Sequence, residues 1–326
     1  MNQSQTTPLP PAAIATAMDL AVKAARSFEG ATAPNPPVGC VLLDSCGNVL
    51  ATAAHQRAGT AHAEAAAIVT AQAAGVADRI DTLVVTLEPC NHQGRTPPCT
   101  NTILATPVLR VVVGVADPNR KVAGGGMARL REAGLAVELF TGDRQQLERL
   151  IAPFAKHASQ GLPFLTVKQA LNGEGSMIPP AGRKTFTSQG SLLAAHALRR
   201  RADAIISGSG TILADDPLFT VRLLPDHAGK RRPLVIFDRR RRVPQSYANG
   251  AAARGLDVQY ADDLETALRA LAAAGALEVL LEAGPMLTAH VLASPFWDEH
   301  VRISRNNDGD RIDIVARGGT DVLRHH

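Results

Sequence analysis

The sequence predicts a two-domain α/β protein, and three observations carry that prediction. Its 326 residues exceed what one hydrophobic core usually organises and suggest about two domains. Short runs rich in Val, Leu and Ile, such as Thr82–Leu87 and Arg110–Val115, alternate with segments of helical period. Gly161-Leu162-Pro163 interrupts that pattern midway, which divides the chain into residues 1–158 and 159–326.

Composition narrows the class. Hydrophobic residues make up 45% and charged ones 20%, as in soluble globular proteins, and an aromatic content of 3% leaves the cores to Ala, Val, Leu and Ile. Four cysteines are too few for a disulfide scaffold. The start, M-N-Q-S-Q-T-T-P-L-P-P, has neither the basic nor the apolar region of a signal peptide. No apolar run approaches the length of a membrane span, so a cytoplasmic protein is expected. The net charge of +4 suits anionic small molecules. Eight Phe, two Tyr and one Trp are few for stacking on bases, which argues against nucleic acid.

Taken in order, residues 12–28 set Ile14, Met18, Ala21, Val22 and Ala25 at helical spacing, with Gly30 as the stop. Pro34-Asn35-Pro36-Pro37 is a rigid extended segment that presents Asn35. Residues 38–43 and 49–53 read as strands joined by a turn over 44–48. Residues 62–74 form an Ala-rich helix closed by Gly75, which puts His62 and Glu64 in its first turn. Two buried strands follow, Thr82–Leu87 and Arg110–Val115, the first leading into Glu88-Pro89-Cys90. Gly124-Gly125-Gly126 offers backbone N–H groups ahead of a helix over 127–133, a weak signal for phosphate. A capped helix over 143–157 ends the first half.

One imidazole and two thiolates, His62, Cys90 and Cys99, are a ligand set that suits zinc. Three protein ligands leave the fourth position open, and zinc lowers the pKa of water to about 7. Glu64, two residues past the histidine, can move protons without binding metal. This His/Cys/Cys set with a non-ligating Glu is the established signature of zinc-dependent base deaminases. A structural zinc site would need a fourth ligand, for which His92 is the only nearby candidate. Thiolate ligands also imply a reducing compartment. Cys40 and Cys46 remain outside the set.

Nucleic-acid deaminases usually carry P-C-x-x-C, whereas here eight residues separate the two cysteines. H-A-E at 62–64, T-L-E-P-C-x-H-x-G-R-T-P-P-C from Thr86 to Cys99, P-N-P-P-V-G at 34–39 and A-D-P-N-R-K-V-A-G-G-G at 116–126 together resemble another family. It is that of the bifunctional riboflavin-biosynthesis enzymes, a pyrimidine deaminase fused to a reductase. The resemblance covers most of residues 12–150. It implies an N-terminal cytidine-deaminase-like three-layer α/β/α domain that binds Zn2+ through His62, Cys90 and Cys99, with Glu64 catalytic. It further implies that Asn35, His55, His92, Arg95, Asp117 and Asn119 hold the substrate, 2,5-diamino-6-(5-phosphoribosylamino)pyrimidin-4(3H)-one.

In the second half, strands are expected over 164–170, 202–207, 234–238 and 279–282, with a turn at 208–211 and a helix over 286–292. The run G-S-G-T-I-L-A-D-D-P-L-F-T-V-R, 208–222, resembles the reductase half of the same family. That implies a dihydrofolate-reductase-like α/β domain, NADPH held by Thr211 and Asp215, and the phosphorylated substrate held by Arg199, Arg222 and Glu282. Hydride delivery to the ribose and a homodimer are implied with it.

Several positions depart from the family. Asn172-Gly173-Glu174-Gly175-Ser176 replaces S-L-D-G-K/R, Thr185-Phe186-Thr187 replaces W-I-T, and Arg239 stands for Ser. Arg239 to Arg242 suit either the 2′-phosphate of NADPH or a solvated edge. Beyond His300 the chain reads as a short, charged tail, so the domain is expected to be shortened, with an exposed sheet edge, and the reductase half to be the weaker. Two alternatives accompany this reading. One is a deaminase paralogue with an inactive reductase half in azapteridine (toxoflavin-type) biosynthesis. The other is a nucleic-acid deaminase or a structural-zinc binding protein.

Overall fold

The structure is a computed structural model and describes residues 8–93, 97–119, 123–178, 187–306, 309–319 and 322–325. Two compact units make up the chain, Met1–Ser159 and Gln160–His326. The first contains α1 (Pro11–Arg26), β1 (Gly39–Leu43), β2 (Val49–Ala54), α2 (Ala63–Ala73), β3 (Thr82–Leu87), α3 (Cys99–Leu104), β4 (Arg110–Val115), α4 (Gly125–Glu132), β5 (Ala136–Leu139) and α5 (Gln145–Gln160). Its five-stranded sheet has the order β2-β1-β3-β4-β5, with β1 antiparallel to β2 and β3, and β3, β4 and β5 parallel.

Strand alternation builds the layers. Leu83 and Val85 of β3 pack with Ala63, Ala67, Ile103 and Leu130 from α2, α3 and α4. Val84 points the other way, to Met18, Val22 and Leu147 from α1 and α5. Both faces of β3 are therefore covered, which is why Leu83, Val84 and Val85 are apolar without alternation and Thr82 and Thr86 are buried as well. Helix α1 lies so close to β1 that a Cβ at Gly39 would overlap the Ala21 carbonyl oxygen. The result is the expected three-layer α/β/α domain.

The second unit contains β6 (Phe164–Leu171), α6 (Gln189–Arg201), β7 (Ala204–Gly208), α7 (Ser209–Asp215), β8 (Arg232–Phe237), α8 (Gln245–Ala253), β9 (Leu256–Ala261), α9 (Leu264–Ala273), β10 (Glu278–Glu282), α10 (Pro285–Ala293), β11 (Glu299–Asn306), β12 (Gly309–Ala316) and β13 (Val322–His325). The sheet order is β13-β12-β11-β6-β10-β7-β8-β9. From β11 to β9 neighbouring strands run parallel, and β12 and β13 are antiparallel additions. Asp263 caps α9 through the Thr266 amide at 2.8 Å, and Ser188 caps α6 through Ser191 at 3.3 Å.

Two expectations are corrected here. Residues 299–306, 309–316 and 322–325 are not a loose tail but three strands that extend the sheet past β6. Val301 and Ile303 are each 2% exposed, and the charges between them are used. Arg302 stands opposite Asp313 across the β11–β12 ladder and pairs with it at 3.2 Å, while Arg311 pairs with the same carboxylate at 2.7 Å. The β6 edge is therefore covered. Residues 209–215 form helix α7 rather than a turn, because Ile212 is drawn into the core and Asp216 ends the helix in the left-handed conformation, φ 42°.

Candidate metal centre and substrate sites

His62 is the N-cap of α2, Cys90 follows the end of β3, and Cys99 opens α3. These three supply ligand atoms within 4.8 Å of one another. His62 Nδ1 lies 3.2 Å from Cys99 Sγ and 3.6 Å from Cys90 Sγ, and the Cys99 amide donates to Cys90 Sγ at 3.3 Å. Tetrahedral zinc with the usual Zn–S and Zn–N lengths puts N and S about 3.5 Å apart, so the donor set fits that ion. A hydrogen bond from the Cys99 thiol pulls Cys90 down to about 4, against burial and with help from His62. The same bond and burial push Cys99 up. A zinc ion held by this set would keep both sulfurs as thiolates, the form that binds metal.

Glu64 occupies the first turn of α2 and is 3% exposed. Burial lifts its carboxyl above the ordinary range, and the nearby Cys90 charge adds to this. The His55 ring stands edge-on to His62, centroids 5.2 Å apart, and contacts the Asn35 side chain at 3.1 Å. Asn35 and His55 therefore join the trio and Glu64 at one place. His92 is exposed, and its charge acts on Asp117, whose carboxyl is raised chiefly by burial. The Asn119 amide donates to Asp117 Oδ1 at 2.8 Å. Arg95 lies outside the described residues.

Glu88, part of the E-P-C motif, has a role that its sequence context did not disclose. Its Oε2 accepts the Asp117 amide at 3.1 Å and that of Gly124 at 2.9 Å. Its Oε1 accepts the amides of Gly126 at 3.0 Å and Met127 at 3.1 Å. This overturns the reading of 124–126 as free N–H groups for phosphate. The carboxylate already fills that place, and α4 begins at Gly125, two residues before the expected start. A Cβ at Gly126 would overlap the Pro89 carbonyl oxygen, so the helix sits directly on the motif.

In the second unit the parallel register sets Lys168 beside Glu282. Arg199 grips Glu282 with two hydrogen bonds, 2.5 and 2.9 Å, and Lys168 reaches it at 3.2 Å. Arg222 is exposed, and its backbone N–H donates to His196 Nδ1 at 2.8 Å. Burial and the charges of Arg199 and Arg222 hold His196 down, at about 4. Thr211 Oγ1 accepts the Gly284 amide at 2.7 Å, which ties α7 to the turn after β10, whereas Asp215 is exposed. Asn172 closes its own loop by accepting the Glu174 and Ser176 amides at 3.0 and 2.9 Å. Beside it is a cleft of about 330 Å3, lined in part by Gln169, Met177, Ile178, Pro285, Thr288 and Leu292. Lys168 and His196 escaped the sequence reading. A cation inside an otherwise apolar strand, and a His three residues before Arg199 on one helix face, were the available signals.

Residues 12–115 match the cytidine and deoxycytidylate deaminase zinc-binding region, and residues 165–303 match the RibD C-terminal domain. Riboflavin biosynthesis protein RibD of Mycobacterium tuberculosis is 37% identical over 278 residues, covering 85% of this chain and 80% of that protein. The Aquifex aeolicus RibD is 39% identical over 230 residues, covering 70% and 63%. Among solved structures, Acinetobacter baumannii RibD superposes with a TM-score of 0.77 at 28% identity, covering 91% of this chain and 88% of that one. The Thermotoga maritima diaminohydroxyphosphoribosylaminopyrimidine deaminase/5-amino-6-(5-phosphoribosylamino)uracil reductase gives 0.78 at 28%, covering 90% and 87%. These matches favour riboflavin biosynthesis over the azapteridine and nucleic-acid alternatives, and no helix among the described residues is long and apolar enough to cross a membrane. The chain belongs to the RibD family of riboflavin-biosynthesis proteins, with a zinc-binding deaminase domain fused to the family's reductase domain.

Proposed function

We propose that this chain hydrolyses the C2 amine of 2,5-diamino-6-(5-phosphoribosylamino)pyrimidin-4(3H)-one and then reduces the ribosyl group of the product with NADPH. The observation that carries the first step is the convergence of His62, Cys90 and Cys99 beside the buried Glu64. Zinc held by those three residues supplies an acidified water at neutral pH. Glu64 takes a proton from the attacking water and returns protons to the ring nitrogen and then to the leaving amine. Water adds, ammonia departs, and a C2 carbonyl remains. Asn35, backed by His55, faces the base; His92, Arg95, Asp117 and Asn119 hold the sugar phosphate. Ammonia release by wild type and by Glu64→Gln, each with its zinc content measured, tests the assignment.

For the second step, NADPH supplies the hydride. The arrangement supports the pairing of an anionic cofactor with a phosphorylated sugar. Arg199 and Lys168 share Glu282, and Arg222 adds charge. The neighbouring cleft is within the usual size of small-molecule sites. Thr211 and Asp215 are the proposed cofactor contacts. The covered β6 edge removes one reason to expect a weak reductase, while the replacement of an aromatic at Thr185 lies outside the described residues. NADPH oxidation with the deaminated intermediate measures what activity is left. A homodimer and a reducing, cytoplasmic setting belong to the same reading, and sedimentation of the purified protein tests the former.

A further inference from the structure

His55 is only 2% exposed, and both of its ring nitrogens are occupied within the protein. Nδ1 lies 3.0 Å from the Ala61 carbonyl oxygen, and Nε2 lies 3.1 Å from Asn35 Nδ2. A carbonyl oxygen can only accept, so Nδ1 carries the ring proton. Nε2 lies against the Asn35 side-chain nitrogen and so presents a lone pair that requires a donor. Only the NH2 of Asn35 can meet that requirement, because its carbonyl oxygen is an acceptor too. The chain of donors and acceptors therefore fixes which end of the Asn35 amide is spent and which is left over.

What is left over is Oδ1. Among the described residues no donor pairs with it, and Asn35 is half-buried rather than enclosed. Its backbone is held between Pro34 and Pro36, with its amide donating to the Thr32 carbonyl at 2.9 Å. The edge-on contact of His55 with His62 sets the ring that holds the Asn35 amide beside a metal ligand. We propose that His55 is a positioning residue that fixes the Asn35 amide with its carbonyl oxygen towards the substrate, so that the site selects a pyrimidine edge offering an N–H. This inference rests on the deaminase reading above. It moves His55 from a direct substrate contact to a residue that acts through Asn35. An edge presenting only a lone pair would oppose Oδ1, and a site built to hydrogen-bond one polar group discriminates strongly against its absence.

The test combines kinetics with a tautomer measurement on the zinc-loaded full chain. His55→Phe preserves a ring but removes the acceptor, and kcat/KM for ammonia release is expected to fall about 10- to 100-fold, mostly through KM. Zinc content should stay at that of the wild type. His55→Gln, whose amide can donate to Ala61 and accept from Asn35, should restore most of the loss. By 15N NMR, wild-type His55 should show protonated Nδ1 and unprotonated Nε2, and Asn35→Asp should convert it to the doubly protonated ring. An Nε2–H tautomer in wild type, or an unchanged KM in His55→Phe, would overturn the proposal. Zinc-loaded wild type that releases no ammonia would instead defeat the deaminase reading, and the tautomer would still decide the orientation of Asn35.

Discussion

The Glu88 carboxylate accepts the Asp117 amide at 3.1 Å, joining residues 29 apart in the chain. Through the same carboxylate the strand that leads to Cys90 is tied to the start of α4. Glu88→Ala would leave four backbone N–H groups without this acceptor, and the domain should lose about 3 kcal/mol or more in urea unfolding. Glu88→Gln keeps one oxygen and turns an NH2 against two of the donors, so its loss should be smaller but present. Both variants should raise KM for the phosphorylated substrate by loosening Asp117 and Asn119. A Glu88→Ala protein as stable as wild type would refute the role.

The metal assignment makes a separate prediction. Purified protein should carry about one zinc per chain, and Cys90→Ser should lose most of it. Glu64→Gln should keep the zinc and lose about 100- to 10,000-fold in turnover, the usual worth of general acid–base catalysis. Zinc loss on replacing Glu64 would mean that the carboxylate is a ligand after all.

Glu282 predicts an acid dependence for the second unit. Burial pushes its carboxyl up, but Arg199 and Lys168 outweigh that and hold it at about 2, below the ordinary 4.5. A folded-state pKa below the unfolded one contributes stability above the unfolded value and loses it as pH falls towards the folded value. Wild type should therefore lose on the order of 3 kcal/mol between about pH 5 and about pH 2 from this group. Glu282→Gln should be less stable at neutral pH, where two cations face a neutral amide, and the gap should close on acidification. Urea midpoints across that range provide the check, and parallel curves for the two proteins would contradict it.

The layers and the metal trio were legible because local signals coincide with what the fold needs. Thr82–Leu87 is buried on both faces and its Leu-Val-Val run shows no polar alternation, and H-A-E with the two cysteines carries its chemistry in the residue types. Glu88 was not legible as a clamp, since its four donors lie 29 to 39 residues away and nothing local indicates that they converge. The C-terminal strands were missed for a related reason. Their period-2 apolar residues, Val301, Ile303, Ile312 and Ile314, are separated by arginines and aspartates that look solvated until the ladder pairs them. A charged tail and a strand pair with cross-strand ion pairs have the same composition.

Those strands can be tested by removal. A chain ending at Pro295 would lose β11, β12 and β13 and uncover the β6 edge together with Leu165 and Val167, both fully buried in the complete chain. The second unit should then unfold or aggregate, as exposed edges promote, while zinc binding by the first unit persists. A truncated chain with an unchanged second unfolding transition would show that the strands are dispensable.

The chemistry of the first unit is tested most directly by ammonia release from 2,5-diamino-6-(5-phosphoribosylamino)pyrimidin-4(3H)-one by the zinc-loaded protein. One ammonia per substrate, abolished in Glu64→Gln with its zinc retained, is the predicted result. No ammonia from folded, zinc-loaded wild type, or release from cytidine or tRNA at a comparable rate, would contradict it.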